Sequence, residues 1–422
     1  MLTLKLLRED PEYVIERLSV RNVDAASLVE QILEADASRR ASQTQADALV
    51  ARQKELASQI KPLMQQGKRD EVEKIKEATT EIKEQVRDLG AAHDLYEKQM
   101  QELLVQLPNL PHQLVVKGNG AEDNVKVKEG GTFPQLPEDA LPHWELAKKY
   151  KLIDFELGVK LTGAGFPVYT GKGARLQSAL IQFFLDSNAR AGYTEIMPPL
   201  MVNEESGFGT GQLPDKGQQM YHVGLDNFYL IPTSEVPLTN IYRDVLLQED
   251  ELPAKLTSYT PCFRREAGSY GKDVRGLNRL HQFDKVEIVQ VTLPSESYKA
   301  LDSMVAHVEG LVQQLELPYR IMRLCGADMG FTSAMTYDFE VYSAAQKRWL
   351  EVSSVSNFET FQSNRLKARY RDTDGKPQLV HTLNGSALAL PRIVAALLEN
   401  NQKADGISMP KVLHEYLHFT EI

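Results

Sequence analysis

From Leu28 onward the apolar positions recur alternately four and three residues apart. Leu28, Ile32, Ala35, Arg39, Ser42, Ala46, Leu49, Gln53, Leu56, Ile60 and Leu63 make one seam, apolar at its ends and polar in its middle. Gly67 interrupts it, and the spacing resumes as Val72, Ile75, Thr79, Ile82, Val86, Leu89, His93, Tyr96, Met100 and Leu103. Such a repeat lays one stripe along a helix. Two helices of matching length joined by a Gly-containing turn predict an antiparallel coiled-coil hairpin. A helix near forty residues is roughly 60 Å long at 1.5 Å per residue, so an arm is expected to project beyond a globular body. Heptads by themselves fit oligomerisation or spacing. Ahead of the arm, Pro11–Leu18 predicts a short helix.

Beyond Leu103 the pattern changes. Prolines and glycines between Pro108 and Pro142 read as a linker. Ala174–Arg190 sets Leu176, Ala179, Leu180, Phe183 and Phe184 on one side of a helix. Thr194–Met197 follows as a strand ending at Pro198 and Pro199. Phe208–Asp215 is Gly-rich and reads as a mobile loop. An apolar strand then meets Thr233 and Glu235, which alternation places on one side. Val236–Leu247 reads as a helix, with Thr233 or Ser234 as its cap. Lys255–Arg264 and Leu280–Val291 are strands joined by a loop containing Gly268, Gly271 and Gly276, a long hairpin. Leu293–Leu317 is helical, Tyr319–Leu324, Thr336–Tyr342 and Trp349–Ser354 are strands, and Pro391 opens a last apolar helix. The expected fold class is α+β, with residues 1–107 as the arm domain, 108–142 as the linker and 143–422 as the sheet domain.

Composition narrows the setting. The 422 residues are 42% hydrophobic and 25% charged, ordinary for a globular protein. Two cysteines, Cys262 and Cys325, exclude a disulfide framework and a Cys-rich zinc site, so no structural zinc is expected. Met1–Asp10 has early charges and no apolar signal-peptide core. Ala387–Leu398 is broken by Pro391 and Arg392 and is too short to span a bilayer. A reducing, cytoplasmic setting without a membrane partner is expected. The net charge of −10 leaves RNA contacts to local basic patches, such as Arg52, Lys54, Lys61, Lys74 and Lys76 on the arm. Contacts of that kind position a nucleic acid and do not read its sequence.

The hairpin carries the candidate chemistry. Arg264 and Glu266 alternate with Phe263 and Arg265 and so share a face. Arg275, Arg279, His281 and Glu287 come from its loop and return strand. Guanidiniums and carboxylates together are costly to bury as mere core. They suit a ligand of both signs, a zwitterion beside a polyphosphate, because Arg grips two phosphate oxygens at once. A solvated outer face would carry the same pattern. Glu351 and Ser353 alternate with apolar neighbours and face either solvent or a site. Arg392 stands at a helix N-terminus, where a cation is unfavourable unless an anion sits before it.

Phe263-Arg264-Arg265-Glu266, followed by Arg279–Phe283, resembles motif 2 of the class II aminoacyl-tRNA synthetases. The string GSYGKDVRGLNRLHQFDKVE is similar to that of seryl-tRNA synthetases of the bacterial type. The helix, strand and Pro199 resemble motif 1. Thr382–Arg392 resembles motif 3, with Ala387, Ala389 and Pro391 where many members of the class carry glycines. The resemblance covers nearly the whole chain. It implies an antiparallel-sheet catalytic domain flanked by helices, a homodimer built through motif 1, and an arm that holds tRNA(Ser). It leaves open whether tRNA(Sec) is served too.

The implied activity is that of an AMP-forming serine–tRNA ligase, which joins L-serine and ATP as seryl-adenylate and passes serine to the tRNA 3' end. Arg264, Glu266 and Arg392 are implied as catalytic. Arg264 would neutralise the α-phosphate and the serine carboxylate, and Arg392 the γ-phosphate. Glu266 would orient the adenine amino group and Phe283 would stack on the ring. Arg265 and Arg275 are further ATP candidates, Arg275 reaching phosphate or the tRNA end. Glu351, Val352, Ser353 and Ser354 would approach ATP, Glu351 and Ser354 also Mg2+. L-Serine would meet Thr233, Ser234, Glu235, Asn384 and Ser386 beside Arg264, with Glu235 near its ammonium and Glu287 accepting its hydroxyl. The main alternative is a non-catalytic tRNA-binding or regulatory paralogue of the same fold. Such proteins commonly lose one of Arg264, Glu266, Glu351 and Arg392, all present here. An enzyme loading a carrier protein would not need the arm, and a threonine enzyme would carry zinc ligands.

Overall fold

The computed structural model describes residues 1–215, 217–266 and 275–422, so Gly268 and Gly271 of the hairpin loop lie outside the described residues. The chain forms two compact units, residues 2–19 with 23–108, and Met1 with 20–22 and 109–422.

The smaller unit is helical. α1 (Leu4–Glu9) was not expected; Thr3 caps it, accepting from the Leu6 N–H. α2 (Pro11–Ser19) follows as expected. α3 (Ala26–Gln65) and α4 (Arg69–Leu104) are the two arm helices, and every expected seam position is buried or half-buried. Gly67 turns the chain at φ +73°, a conformation that costs a glycine little. Off the seam, Asp36 is buried and meets Arg8 at 2.7 and 2.6 Å, Arg39 at 3.0 Å and Arg40 at 3.0 Å. Burial opposes its ionisation, yet the three guanidiniums hold its pKa down at about 2.

In the larger unit, eight strands among the described residues make the main sheet. Their spatial order is Val125–Gly130, Tyr319–Arg323, Met335–Ser343, Arg348–Glu359, His381–Ala389, Gln282–Thr292, Ala254–Phe263 and Thr194–Glu195. All pairs are antiparallel except the last. Helices Gly171–Arg190, Ser297–Gln314 and Leu390–Asn400 pack Phe183, Met304 and Ile393 into one core with Val286 and Ile288 of the sheet. On strand Gln282–Thr292 the period of two then sends Phe283, Lys285 and Glu287 to the opposite face. The fold thus gives one face to the core and leaves the other for chemistry.

Three local expectations change. The helix after Thr233 runs only over Glu235–Asn240, and Leu246–Gln248 is a strand that pairs in parallel with Arg369–Arg371. Part of the Gly-rich segment is helical, Glu204–Thr210, capped by Asn203 and ended by Gly211 at φ +89°. Within 108–142, Val125–Gly130 joins the main sheet, and the Asn109 amide donates to Thr332 O at 2.9 Å and Phe358 O at 2.8 Å.

Candidate active site

The free face of the sheet floors a cavity of about 620 Å³. The motif 2 hairpin supplies Arg264, Glu266, Phe283 and Glu287. Strand Arg348–Glu359 supplies Glu351, Val352, Ser353 and Ser354. These are consecutive because the pairing with strand Met335–Ser343 slips at Phe339/Glu340, a bulge that breaks strict alternation. Asn384 and Ser386 come from strand His381–Ala389, where Ser386 stands opposite Glu287. Arg392 comes from the first turn of the following helix, Thr233 from the turn before helix Glu235–Asn240 and Glu235 from that helix's first position.

The amino-acid candidates form one buried network. Glu287 is 1% exposed. Its Oε2 accepts from the Thr233 hydroxyl and from Lys285 Nζ at 2.7 Å; its Oε1 accepts from Asn384 Nδ2 at 2.9 Å. Lys285 also donates to Thr233 Oγ1 at 2.8 Å. Glu235 stands nearby and accepts from Gln362 Nε2 at 2.6 Å. Burial and the charge of Glu287 push its pKa up to about 7. Thr233 accepts from the Glu235 N–H at 3.2 Å, whereas Ser234, at the N-cap of helix Glu235–Asn240, makes no side-chain cap bond, so the cap expected of Thr233 or Ser234 is not formed in the usual way. Ser234 is fully buried behind the cavity, its hydroxyl 3.5 Å from Glu287 Oε2.

The charged rim is arranged differently. The Arg264 guanidinium lies 5.2 Å over the Phe283 ring and its Nε donates to Pro232 O at 3.3 Å. Glu266 holds Arg279 at 2.5 Å. Arg392 donates to the Glu351 carbonyl at 2.7 Å and stands 3.7 Å from its carboxylate. Ser353 is buried, with its hydroxyl on Ser386 O at 2.5 Å, so only Glu351 of that pair is exposed. The Ser354 hydroxyl donates to Asp338, whose carboxyl burial and Glu351 push well above the usual range.

Two expected ATP residues lie elsewhere. Past the end of strand Ala254–Phe263, Arg264 and Glu266 line the cavity while Arg265 does not; its N–H donates to Gln219 O and its guanidinium sits 6.0 Å from the Tyr221 ring. Arg275 lies on the Trp144 ring at 4.9 Å and near Glu145 at 3.6 Å.

Known proteins share this architecture. Residues 1–111 match the family model of the seryl-tRNA synthetase N-terminal domain, and residues 221–401 that of the tRNA synthetase class II core domain (G, H, P, S and T). The serine–tRNA ligase of Salinibacter ruber (strain DSM 13855 / M31) is 52% identical over 424 residues, covering 100% of this chain and 99% of that protein. The chain belongs to the seryl-tRNA synthetase family. The solved seryl-tRNA synthetase of Pyrococcus horikoshii, complexed with ATP, superposes with a TM-score of 0.95 at 33% identity, covering 100% of this chain and 99% of that one. The cytoplasmic serine–tRNA ligase of Naegleria fowleri, in complex with AMP, gives 0.89 at 25% identity, covering 100% and 98%. As in the seryl-tRNA synthetase resemblance, motifs 2 and 3 meet in one cavity. Lys285, Asp338 and Gln362 were missed by sequence reasoning. Lys285 had a signal, a lone cation in the apolar return strand. Asp338 and Gln362 had none, since a polar residue within a strand or a short helix is ordinarily solvated.

Proposed function

We propose that this seryl-tRNA synthetase family member is a catalytically active serine–tRNA ligase whose reaction runs in the cavity just described. The observation that carries the reading is a buried acid-and-base floor, Glu235, Glu287, Lys285 and Thr233, inside the same cavity as Arg264, Phe283 and Arg392. A zwitterion fits the floor, and a nucleotide triphosphate fits the guanidiniums and the ring.

No protein nucleophile is needed. The serine carboxylate attacks the α-phosphorus of ATP, pyrophosphate leaves, and seryl-adenylate remains. Serine then passes to the terminal ribose hydroxyl of tRNA(Ser), and AMP leaves. Positioning and charge stabilisation supply the rate. Arg264 neutralises the α-phosphate, Arg392 the γ-phosphate, Phe283 stacks on adenine and Glu266 orients its amino group. Glu235 takes the serine ammonium and Glu287 its hydroxyl. Glu351 and Ser354 present the oxygen donors that Mg2+ prefers, and the repulsion between Asp338 and Glu351 is the kind a divalent cation relieves. Bound there, Mg2+ would screen the triphosphate.

Residues 1–107 act as the tRNA-binding arm and 143–422 as the catalytic domain, with 108–142 leading into it. Exposed Met197, Met201 and Phe228, on the motif 1 segment and the small sheet beside it, supply an apolar surface for a homodimer. No helix among the described residues is long and apolar enough to cross a membrane, and the reading places the enzyme in the cytoplasm. Serine-dependent ATP–pyrophosphate exchange on the purified chain, with alanine, glycine and threonine alongside, tests the reading. Exchange with serine alone is expected. Exchange with none of the four, from folded protein supplied with magnesium, would sink it.

A further inference from the structure

The return limb of the motif 2 hairpin gives the cavity Leu277, Asn278, Arg279 and Leu280. None of these lies in the strand that follows, so something else must hold the limb in place. Helix Leu390–Asn400 does so twice. Arg392 and Glu399 are seven residues apart and share a helix face. Arg392 Nε donates to Asn278 O at 3.1 Å. Glu399, fully buried, reaches the limb through two intermediaries. His143 Nδ1 meets Glu399 Oε1 at 2.7 Å, and His143 Nε2 accepts the Leu277 N–H at 2.8 Å. Gln346 Nε2 donates to Glu399 at 2.9 Å, and its Oε1 accepts from Asn278 Nδ2 at 3.2 Å.

A main-chain N–H aimed at Nε2 fixes the ring as the neutral tautomer, with its proton on Nδ1 toward the carboxylate. Gly276, at φ +67°, lies flush against this ring, where a Cβ would sit 2.2 Å from Nε2. His143, Gln346 and Glu399 do not line the cavity, yet every one of their bonds to the limb ends on a residue that does.

We propose that His143, held by Glu399, is a positioning residue that sets the height of Leu277–Leu280 and so the wall against which ATP binds. This rests on the serine–tRNA ligase reading above. Of the amino-acid floor, Thr233 and Glu235 come from another segment, and Lys285 and Glu287 lie on strand Gln282–Thr292, which pairs with Ala254–Phe263 on one side and His381–Ala389 on the other, so the floor keeps its place without the limb.

The test uses His143→Asn, whose amide still donates to Glu399 but is too short for Leu277, and His143→Gln, which reaches Leu277. Both are compared with the parent chain by KM for ATP and for serine in pyrophosphate exchange, and by deuterium uptake of the peptide spanning 275–283. In H143N the ATP KM should rise about tenfold, the scale of one lost hydrogen bond, with the serine KM within about twofold. Uptake should quicken in that peptide, and H143Q should recover most of both. Equal rises in the two KM values, or an unchanged ATP KM with faster uptake, would overturn the proposal. Should H143N not fold, Gln346→Ala cuts the second path: a raised ATP KM supports the proposal and an unchanged one overturns it. A parent chain without any exchange would overturn the ligase reading, and this proposal with it.

Discussion

Glu235 and Glu287 are buried in one cavity, but their partners differ. Glu287 is held by three donors, Thr233, Lys285 and Asn384, which leaves a lone pair for a substrate hydroxyl, whereas Glu235 has Gln362, the repulsion of Glu287 and a lesser attraction to Lys285 and Arg264. A carboxyl whose folded pKa is raised from 4.5 to about 7 favours the protonated fold. Its contribution to stability is complete below the unfolded value and is lost as the pH rises through about 7. An ammonium needs the charged form, so the serine KM should fall between pH 6 and 8. Glu235→Gln should flatten that profile, raise the KM throughout and make the fold more stable above pH 7. A wild-type KM independent of pH over that range would remove Glu235 from the ammonium. Glu287→Ala should lose activity and much of the discrimination against alanine, because sites built around a substrate hydroxyl reject analogues lacking it by roughly 10⁴-fold. Unchanged serine-over-alanine selectivity in that variant would refute the assignment. Arg264, Glu266, Glu287 and Arg392 were legible in the sequence because motif spacing marks them. Lys285 was not weighed, because period two places it with Phe283 and Glu287 but says nothing of a partner as distant in sequence as Thr233.

The arm was legible as an element because its signal is periodic and local. Its two seams were predicted position by position, down to Gly67 at the turn. The helix expected over Val236–Leu247 failed for the opposite reason. Its last two residues belong to strand Leu246–Gln248, which pairs with Arg369–Arg371, more than a hundred residues on, and no local pattern reports a parallel partner at that distance. Strand Val125–Gly130 was hidden because it is an exposed edge, half of it charged, in a stretch full of glycine and proline. The arm also permits a clean separation of function, since every described cavity-lining residue lies in the larger unit. Ile82 is 6% exposed in the seam. Burying a charge there without a partner is strongly destabilising to the helix pair. Ile82→Asp should therefore lower tRNA charging at least about tenfold and leave serine-dependent exchange within about twofold. Loss of exchange in step with charging would show that the arm does more than hold RNA.

At the scale of the whole molecule the question is how the motif 1 segment is covered. Met197 is 90% exposed, Met201 50%, Phe228 43% and Leu225 101%. Single exposed apolar residues are ordinary, but several on one segment and the adjoining small sheet suit the homodimer proposed above. The segment is also close to the chemistry. Strand Thr194–Glu195 pairs with Leu256 and Thr257 of the first hairpin strand, and Thr257 Oγ1 donates to the Glu287 carbonyl at 2.8 Å. A partner that pins this segment therefore pins the outer edge of the site. In sedimentation velocity the chain should run at twice its own mass. Met197→Asp combined with Met201→Asp should run as a single chain, because two charges cannot be buried unpaired at an isologous contact. Its pyrophosphate exchange should fall about tenfold or more, the effect of a floor held less rigidly by ~1.4 kcal/mol. A variant that separates into single chains yet exchanges at the parental rate would make each subunit self-sufficient, and the link from interface to floor through Thr257 would then be structural only.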